Sequence, residues 1–388
     1  MLTFYLRPDL SAGSFRSSAL VDALRTVLPV GSQIDVITTL PNRYKSFSAD
    51  AQSHEQCDGL SIHRIALPTH RSGMVDQSIG FFTFSQKALK FVKSRNYDLV
   101  FATSSRLMTA ALGAWIASRK QTRLYLDIRD IFVDTIKDVL PRRFAWLAKP
   151  MFSILERWTV NRAEKVNLVS GGFAEYFTIR YPRQKFSYFT NGIDDEFLAA
   201  SSSIQPCAAK EGPMRVVCAG NIGEGQGLHA IIPELAQRMG KRAQFRIIGD
   251  GGRKVALQKA LEVADVDNVE LMPPMHRDRL IEMYRTADVL FLHLNDYEAF
   301  KKVLPSKLFE YAAMGKPIWA GLPGYSAEFV KLEISNAAVF YPCDAVAAER
   351  VLGDLLLQDT PRPKFVEKYV RAKISENMAQ DILALAET

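Results

Sequence analysis

Short runs of β-branched and aromatic residues alternate with helical patterns along the whole chain. In the first half these apolar runs lie at residues 2–6, 34–40, 60–67, 97–104, 123–130, 165–170 and 187–192. In the second half they lie at 214–220, 243–251, 268–274, 289–294, 317–322 and 337–342. Short strands that alternate with helices are typical of parallel sheets with both faces covered. The pattern therefore predicts an α/β chain with doubly wound sheets.

The alternation is interrupted once, near the middle of the chain. The stretch AASSSIQPCAAKEGP at 199–213 is rich in Ala, Ser and Pro and has no apolar period, which is typical of a linker. We therefore predict a Rossmann-like domain over 1–200, a linker at 201–213 and a second Rossmann-like domain over 214–363. The helical pattern at 364–388 has no strand after it, and we expect it to pack back on the first domain.

The composition is that of an ordinary globular protein, with 48% hydrophobic and 23% charged residues, and it excludes a disordered chain. The net charge of +7 is unevenly distributed. Residues 1–190 hold 26 Lys and Arg against 15 Asp and Glu, whereas the rest of the chain holds 23 against 27. A basic half favours an anionic partner such as a membrane surface, a phosphate-bearing acceptor or nucleic acid. The alternative is a solvated surface with surplus lysine.

Two features that the sequence lacks, an apolar signal-peptide run and zinc-type cysteine spacing, indicate where the protein is located. The first residues, MLTFYLRPDL, reach Arg7 before an apolar run long enough for a signal peptide develops. The four cysteines, at 57, 207, 218 and 343, have no zinc-type spacing, which is consistent with reduced thiols. We therefore expect a cytoplasmic protein.

Two predicted strands of the second half end in glycine-rich turns. The first, VVCAG, leads into NIGEGQG (221–227) and then a helical pattern, and the second ends in IIGDGG (247–252). Glycines there let backbone N–H groups approach a phosphate. The spacing does not match GxGxxG, which disfavours a dinucleotide dehydrogenase. A plain tight turn is the alternative for either loop.

The segment VLPSKLFEY (303–311) predicts a helix with chemistry in its first turns. Pro305 suits the first helical position, and Lys307 and Glu310 project from one face because they are three residues apart. Free N–H groups and an ammonium would bind a diphosphate, and a carboxylate can accept hydrogen bonds from two ribose hydroxyls. The alternative is a solvent-exposed ion pair that contributes only ~0.3 kcal/mol.

Several segments taken together resemble the retaining GT-B glycosyltransferases of glycosyltransferase family 4. In the second half they are GNIGEGQGL, FRIIGDGG, VELMPPMHRDRLIEMYRTADVLFLHL and PSKLFEYAAMGKPI, and in the first half SAGSFR, LDIRDIF, LVSGGF and TNGIDDEF. The nearest similarity is to bacterial amino-sugar and fucosamine-type transferases of surface polysaccharide biosynthesis. The resemblance implies a GT-B fold, in which two Rossmann-like domains face a central cleft.

The resemblance also implies where a nucleotide-sugar donor would bind. Its diphosphate would meet Lys307 and the backbone around Ser306 and Leu308, its ribose Glu310, and its base Pro274 and Met275. The other donor-binding candidates are Gly13, Gly220, Asn221, Gly223, Gln226, Gly249 and Asp250. The sequence departs from the family twice: Lys302 replaces the first of two frequent glutamates, and Asn221 and Gln226 replace an Arg and a Lys. We expect no cofactor and no metal.

Acceptor-side chemistry is predicted at the tip of the strand YLDIRD. Asp127, Arg129 and Asp130 end this strand, and many family members have His then Asp where this chain has Arg then Asp. The catalytic candidates are Lys307, Arg129 and Asp130, and the acceptor-side candidates are Gly13, Arg16 and Asp127. An Arg and Asp pair that only holds loops together is the alternative. By resemblance, the departing diphosphate takes the acceptor's proton and needs electrostatic stabilisation.

A basic and aromatic segment, residues 139–165, suits a helix that lies in a membrane interface near a lipid-linked acceptor. Its membrane-facing candidates are Arg142, Arg143, Trp146 and Lys149. Core packing with a solvated basic rim is the rival interpretation, and no nucleic-acid motif accompanies the charge.

The sequence thus predicts a retaining glycosyltransferase at the inner face of the cytoplasmic membrane, and the expected donor is linked to UDP. The acceptor would be lipid-linked or a growing surface glycan. One alternative is a catalytically silent nucleotide-binding scaffold, suggested by Lys302 and by Asn221 and Gln226 in place of the basic pair. The other is a sugar-nucleotide epimerase of the same fold.

Overall fold

The computed structural model describes residues 1–41, 51–68, 74–104, 107–131, 133, 142–201 and 212–387, without the side chains of 74–77 and 142–148. The chain forms two compact units. The first unit comprises Met1–Thr190 and Ala372–Thr388, and the second comprises Asn191–Arg371. The division therefore falls ten residues before the predicted boundary at 200. The predicted linker at 201–213 lies largely outside the described residues.

The first unit is built on a mostly parallel sheet. Its strands are β1 (Ile34–Thr39), β2 (His54–Cys57), β3 (Leu60–Ile65), β4 (Leu99–Thr103), β5 (Arg123–Ile128), β6 (Lys165–Leu168) and β7 (Phe186–Ser187). They pair in the orders β2-β3-β1 and β4-β5-β6-β7, and the β2–β3 pair is antiparallel. Residues 54–57 carry no predicted strand, because their polar side chains are mostly exposed on an edge.

The predicted strand at residues 2–6 is not a regular strand. Leu2 instead forms single parallel bridges to Ile37 of β1 and to Ala102 of β4, so that this segment joins the two groups of strands. Two residues after this bridge, the carbonyl of Phe4 accepts a side-chain hydrogen bond, from the hydroxyl of Thr39 at 2.7 Å. Phe4 is nevertheless fully buried, as its apolar character predicts.

Helices cover both faces of this sheet. They are α1 (Ala12–Val27), α2 (Met74–Val92), α3 (Leu107–Lys120), α4 (Arg142–Arg162), α5 (Ala174–Arg180) and, at the end of the chain, α14 (Arg371–Glu387). Buried side chains of α1 and α14, among them Leu20, Leu24 and Ile382, pack in one core with Val36 and Tyr125 of the strands. Helix α3 packs between α2 and α4.

The second unit has a six-stranded parallel sheet. Its strands are β8 (Met214–Asn221), β9 (Ala243–Asp250), β10 (Val269–Met272), β11 (Val289–His293), β12 (Ile318–Gly321) and β13 (Ala337–Phe340). Its helices are α6 (Asp195–Ser201), α7 (Leu228–Met239), α8 (Lys254–Val263), α9 (Arg277–Thr286), α10 (Lys307–Ala313), α11 (Gly324–Glu333), α12 (Ala345–Val351) and α13 (Pro363–Lys368). The strand order is β10-β9-β8-β11-β12-β13. The direction of winding reverses between β8 and β11, and ligands of doubly wound sheets bind at the carboxyl ends of strands beside such a reversal.

The core of the second unit is aromatic. Phe245, Phe291, Trp319 and Phe340 are buried together between the strands and the helices on one face. Every residue of β12 is buried, which is the environment that its continuous apolar run predicts. The indole N–H of Trp319 donates to the carbonyl of Ala348 at 2.9 Å, so that this large side chain is buried without losing a hydrogen bond.

His293, the last residue of β11, connects two loops at the carboxyl edge of this sheet. It is 1% exposed, and the backbone N–H of Cys343 donates to its Nε2 at 2.9 Å. Because Nε2 accepts, Nδ1 carries the proton and donates to the carbonyl of Gln226 at 2.7 Å. Burial lowers the pKa of His293 to about 4, so that the neutral ring fastens the first glycine-rich turn to the loop after β13.

A buried ion pair fastens the strand tips of the first unit. The guanidinium of Arg16 contacts both carboxylate oxygens of Asp127 at 2.9 Å, and it also donates to the carbonyls of Phe189 and Thr190. Asn167 donates to the same carboxylate at 2.7 Å. Burial by itself would raise the pKa of Asp127, but the charge of Arg16 and its hydrogen bonds lower it, so that the carboxylate stays ionised.

We expect protonation of His293 to weaken the second unit in acid. The folded pKa of about 4 lies below the ordinary value of 6.5, so the contribution of the neutral ring is complete above pH 6.5 and is lost as the pH falls toward 4. The loss amounts to about 3 kcal/mol of unfolding free energy. His293→Gln, which cannot be protonated, should be less stable than the unmutated protein at neutral pH, and urea unfolding should show this difference shrinking as the pH falls.

His276→Gln, at an exposed position, is the matched control and should keep the pH dependence of the unmutated protein. A difference between His293→Gln and the unmutated protein that stays constant down to pH 4 would contradict the lowered pKa of His293.

Asp127→Asn should destabilise the first unit by about 3 to 5 kcal/mol, because it leaves the buried guanidinium of Arg16 without its counter-charge. Chemical denaturation measures the loss. Asp22→Asn is the control, since Asp22 pairs with Arg7 at a largely exposed position, and it should change stability by less than about 1 kcal/mol. If the two substitutions lower the free energy of unfolding equally, burial of the Arg16–Asp127 pair does not explain the loss.

Candidate active site

Lys307 and Glu310 form an ion pair near the start of α10. The ammonium nitrogen of Lys307 lies 2.7 Å from Oε2 of Glu310 and 3.2 Å from the hydroxyl of Tyr284. The Lys307 and Glu310 side chains are 24% and 7% exposed. The pair therefore exists, but it is not the solvent-exposed ion pair of the alternative interpretation.

Two fully buried tyrosines hold this pair against the sheet. The hydroxyl of Tyr311 accepts a hydrogen bond from the backbone N–H of Ala219 in β8 at 3.1 Å, and its ring packs edge-on against Tyr284 at 5.2 Å. Burial raises the pKa of both phenols well above the ordinary value, so both are neutral. Helices α9 and α10 are thereby joined to the end of β8, directly below the first glycine-rich turn.

Lys307 remains charged in this environment. Burial acts to lower the pKa of its ammonium, but the carboxylate of Glu310 outweighs that effect and raises the pKa above the ordinary value. An ammonium has three N–H donors, and the contacts with Glu310 and Tyr284 occupy two of them. One donor is left for an anion.

The glycine turns lie beside this ammonium. A Cβ added to Gly220 would be 3.7 Å from Cε of Lys307, and a Cβ added to Gly249 would be 1.8 Å from the carbonyl oxygen of Gly220. Gly220 and Gly249 have φ angles of +144° and +153°, a region that L side chains rarely adopt. The structure thus brings together Lys307 and both glycine turns, which are far apart in the sequence.

The polar residues of the first turn bind one another. The side-chain amide of Asn221 donates to that of Gln226 at 2.9 Å, and a Cβ added to Gly223, between them, would be 2.3 Å from the Asn221 amide. The two residues that replace the family's Arg and Lys therefore close the turn on itself. Lys302, the other departure, is half-buried in a short 3₁₀ turn, Glu298–Lys302.

Helix α10 begins later than the sequence predicts. The prediction placed Pro305 at its first position, but the helix begins at Lys307. The N–H groups of Leu308 and Phe309 donate to the carbonyls of Pro305 and Ser306, both at 3.2 Å, because the chain first makes a tighter turn of the i→i+3 type. The Leu308 N–H expected at a diphosphate is thus bound within the chain, and the Leu308 side chain is fully buried. Ser306 is half-buried.

The remaining donor-side candidates lie at other carboxyl ends of the same sheet. Asp250 ends β9, and its carboxylate accepts a hydrogen bond from the N–H of Gly251 at 2.8 Å. Pro274 and Met275 are half-buried in the loop between β10 and α9. These placements fit a nucleotide extended along the edge of the sheet.

Sequence reasoning missed three charged residues of this unit. Arg277, at the start of α9, donates to Asp194 at 2.5 Å, and Arg371 also binds that carboxylate. Burial acts to raise the pKa of Asp194, but the two guanidiniums outweigh it and lower the pKa. Burial acts to lower the pKa of Arg277, but the charges of Asp194 and Glu310 outweigh it and raise the pKa. No local pattern indicated these contacts, because the partners are 83 or more residues apart.

A further guanidinium lies beside the first glycine turn. Arg253 directly follows the second turn, its backbone N–H donates to the carbonyl of Ile222 at 2.9 Å, and its side chain binds Glu224. The position immediately after IIGDGG is the signal that could have found it. The first glycine turn therefore contacts a cationic side chain, but this side chain comes from the second turn and not, as in the family pattern, from the first turn itself.

The acceptor-side candidates divide into two groups. Arg16 and Asp127 are 5% and 3% exposed and bind each other, which favours a positioning role. Arg129 and Asp130 follow β5 and are half-buried, and the N–H of Arg129 donates to the hydroxyl of Ser104 at 2.8 Å. Gly13 is buried in the first turn of α1, which Ser11 caps.

The membrane-facing candidates lie on α4. Lys149 is exposed, whereas the side chains of Arg142, Arg143 and Trp146 lie outside those that the structure describes. Within the described ranges no helix combines the length and apolarity that crossing a bilayer requires. The described side chains also include no cluster of three or more His, Cys, Asp or Glu residues suited to a metal ion.

Comparison with known proteins identifies both halves of the chain. Residues 19–192 match the family model described as Glycosyl transferase 4-like domain, and residues 202–373 match the model described as Glycosyl transferases group 1. A stretch of 100 residues is 32% identical to the "Putative colanic acid biosynthesis glycosyl transferase WcaI" of Escherichia coli (strain K12). It covers 26% of this chain and 24% of that protein, so the match spans about a quarter of this relative.

Solved structures share the fold over nearly the whole chain. Anabaena HepE in complex with UDP and glucose is 12% identical with a TM-score of 0.67, and the match covers 99% of this chain and all of that one. WaaG, a glycosyltransferase involved in lipopolysaccharide biosynthesis, is 12% identical with a TM-score of 0.60, with 100% and 96% of the two chains covered. The chain therefore has the two-domain α/β fold of GT-B proteins and belongs to the glycosyltransferases, with a Glycosyl transferase 4-like domain followed by a Glycosyl transferases group 1 domain.

Proposed function

We propose that the protein is a retaining glycosyltransferase that moves a sugar from a UDP-linked donor to a lipid-linked or growing surface glycan. The observation that carries this proposal is the charged Lys307, which lies against Gly220 at the reversal point of a parallel sheet and has one donor left for an anion. HepE, which has the same fold, is described with UDP and glucose bound. The partial match to WcaI supports a polysaccharide product.

In the proposed mechanism Lys307 stabilises the departing diphosphate. Its ammonium would bind a phosphate oxygen while Tyr284 and Glu310 keep it in place, so little reorganisation is needed as negative charge develops on the leaving group. Gly220 and Gly249 would let the diphosphate approach the backbone, because neither carries a side chain. The acceptor hydroxyl would attack on the leaving-group face and give its proton to the diphosphate.

Glu310 would bind the ribose of the donor. One of its carboxylate oxygens holds Lys307, and a carboxylate has further lone pairs for the hydroxyls of a sugar. Pro274 and Met275, between β10 and α9, would contact the base. Arg253 would supply a second cation to the phosphates by exchanging Glu224 for the ligand, which compensates for Asn221 and Gln226.

In the first unit Arg129 and Asp130 would orient the acceptor from the carboxyl end of β5. Arg16 and Asp127 would fix that end without touching the substrate, because both are buried and bind each other. We place the enzyme in the cytoplasm at the inner face of the membrane, where a lipid-linked acceptor is found, with the exposed Lys149 of α4 toward the lipid. Arg142, Arg143 and Trp146, whose side chains lie outside those described, stay predictions from the sequence.

One observation favours a second candidate, a nucleotide-binding relative that transfers no sugar. Asn221 and Gln226 bind each other where the family pattern has two cations. Calorimetry with UDP followed by a transfer assay separates the candidates, since a silent relative would bind UDP and leave a nucleotide sugar intact. Release of UDP without any acceptor would instead point to the epimerase alternative.

Lys307→Gln should lower the rate of transfer about 100- to 1,000-fold, as removal of one preorganised donor from a developing anion does. The substitution keeps a polar group for Glu310 but leaves its nearly buried carboxylate without a counter-charge, so the melting temperature should also fall, and rates are compared well below the melting temperature of the variant. Single-turnover transfer from a UDP-sugar measures the effect.

Lys331→Gln, at an exposed position on α11, is the control and should retain full activity. An unchanged rate in Lys307→Gln would remove the proposed mechanism.

Glu310→Gln should remove discrimination at the ribose. We expect the unmutated protein to bind UDP about 10- to 100-fold more tightly than 2′-deoxy-UDP, because a hydrogen bond to a charged group contributes about 1.5 to 3 kcal/mol. The variant should bind the two ligands almost equally, which titration calorimetry measures. If the variant keeps the preference of the unmutated protein, the ribose is bound elsewhere.

A further inference from the structure

The outer surfaces of α2, α3 and α4 form one continuous face of the first unit, because α3 packs between the other two helices. We call the outward residues of 78–93, 107–120 and 149–162 the three-helix face. Large apolar side chains on it are between 40% and 71% exposed, namely Ile79, Phe82, Trp115, Met151, Ile154 and Trp158. Among all side chains that the structure describes, no Phe or Trp outside this face is exposed.

The charges on the three-helix face have one sign. Its exposed cations are Lys87, Lys90, Lys93, Arg119, Lys149 and Arg157. The same ranges contain a single carboxylate, Glu156, which is 3% exposed and accepts hydrogen bonds from the hydroxyls of Tyr176 and Tyr181. The described part of this face therefore offers no exposed carboxylate to balance its cations.

A cavity of about 580 Å³ opens on this face between the last turns of α2 and α3. Val92 and Ile116 are buried at its floor, and Lys90, Lys93, Trp115 and Arg119 line its rim. The guanidinium of Arg119 lies 5.1 Å from the centre of the Trp115 ring. An apolar floor under a cationic rim suits a ligand with an anionic head and an apolar tail.

Helix electrostatics explain only part of this pattern. Cations near the last turns of α2 and α3 are favourable in any helix, because the carbonyl end carries partial negative charge. That effect accounts for neither the three exposed aromatic side chains nor the cations of α4 that are far from its end. The exposures also argue against the core-packing interpretation of residues 139–165, since Met151, Ile154 and Trp158 face outward.

We propose that the three-helix face docks on an anionic phospholipid surface, with one lipid headgroup in the cavity between α2 and α3. Phe82, Ile154 and Trp158 would enter the interface, while the long cationic side chains reach the phosphates. A second copy of this chain fits less well, because it would bring two faces of the same charge together. The inference rests on the proposed function only for the idea that the acceptor is lipid-linked.

The cavity is remote from the predicted acceptor chemistry within the first unit. It lies at the carboxyl ends of α2 and α3, which lead into the amino ends of β4 and β5, whereas Arg129 and Asp130 follow the opposite end of β5. Substitutions on the three-helix face therefore leave the candidate catalytic residues untouched, and binding to lipid can be measured separately from chemistry.

The test is flotation of the full chain with vesicles of phosphatidylcholine alone and of phosphatidylcholine mixed with phosphatidylglycerol. The unmutated protein should float with the mixed vesicles and lose binding as salt is added. Lys90→Gln, Lys93→Gln and Arg119→Gln together should weaken this binding about 100-fold, or about fivefold for each cation, which corresponds to about 1 kcal/mol each. Phe82→Ser, Ile154→Ser and Trp158→Ser together should weaken it at least about tenfold.

Matched control variants carry the same changes elsewhere on the first unit. Arg25→Gln, Arg183→Gln and Lys185→Gln remove three exposed cations, and Val30→Ser, Ile179→Ser and Tyr188→Ser remove three exposed apolar side chains. Both controls should bind the mixed vesicles like the unmutated protein. Equal losses in the controls and the face variants, or no loss in the face variants, would overturn the proposal.

Two further readouts complete the test. Light scattering without lipid should show the same oligomeric state for the unmutated protein and the apolar variant, and dissociation of an oligomer by that variant would overturn the proposal in favour of a self-association face. Binding of UDP, and release of UDP from a nucleotide sugar in the presence of a soluble glycan acceptor, should be unchanged in the face variants. A protein that floats but fails both nucleotide assays would refute the proposed function and leave the docking inference standing.

Discussion

The carboxyl edge of the second unit depends on keeping one ammonium charged while it is mostly removed from water. Burial acts to lower the pKa of Lys307, and the adjacent carboxylate of Glu310 outweighs that effect and raises it. The two tyrosines then fix the pair, since Tyr284 accepts from the ammonium and Tyr311 accepts from the backbone of β8. Because the phenols are neutral and buried, they add hydrogen bonds without adding charge.

The first unit also contains a buried cation, but its contacts differ from those of Lys307. Arg16 fixes the ends of its strands, because its guanidinium donates hydrogen bonds to Asp127 and to two backbone carbonyls. Arg16 is only 5% exposed, whereas the side chain of Lys307 is 24% exposed and its ammonium keeps one donor. The difference follows from the donor geometry of the two side chains. The planar guanidinium of Arg suits a bidentate ion pair with a carboxylate, whereas the compact ammonium of Lys can bind a protein group and a substrate at the same time. The same contrast separates positioning residues from candidate catalytic ones.

Contacts in the two glycine-rich turns explain how the first turn is held without the Arg and Lys of the family pattern. Asn221 and Gln226 close the first turn on each other, and Arg253 reaches that turn from the second one. Loss of two cations in one loop is thus accompanied by a cation supplied from another. The second unit also keeps His293 as a neutral cross-link at the same edge, so its glycine turns are held by hydrogen bonds and not by side-chain bulk.

Much of this protein follows from local patterns in its sequence. The alternation of apolar runs with helical stretches predicts both parallel sheets, because burial on two faces demands strands that are apolar throughout. The glycine turns and the pairing of Lys307 with Glu310 are also local, since a helix places residues three apart on one face. Local patterns fail in two places: residues 2–6 form single bridges instead of a regular strand, and a tighter turn delays the start of α10 to Lys307.

Only the tertiary structure decided which distant charges meet. Arg16 with Asp127, and Asp194 with Arg277 and Arg371, are separated by 83 residues or more, and no periodic pattern encodes such pairs. It also decided that Phe82, Trp115 and Trp158 lie outside the core, because an amphipathic pattern indicates that a helix has two faces but not what covers each face. Sequence determined the elements and the chemistry they carry, and packing determined which of those groups remain available to a ligand.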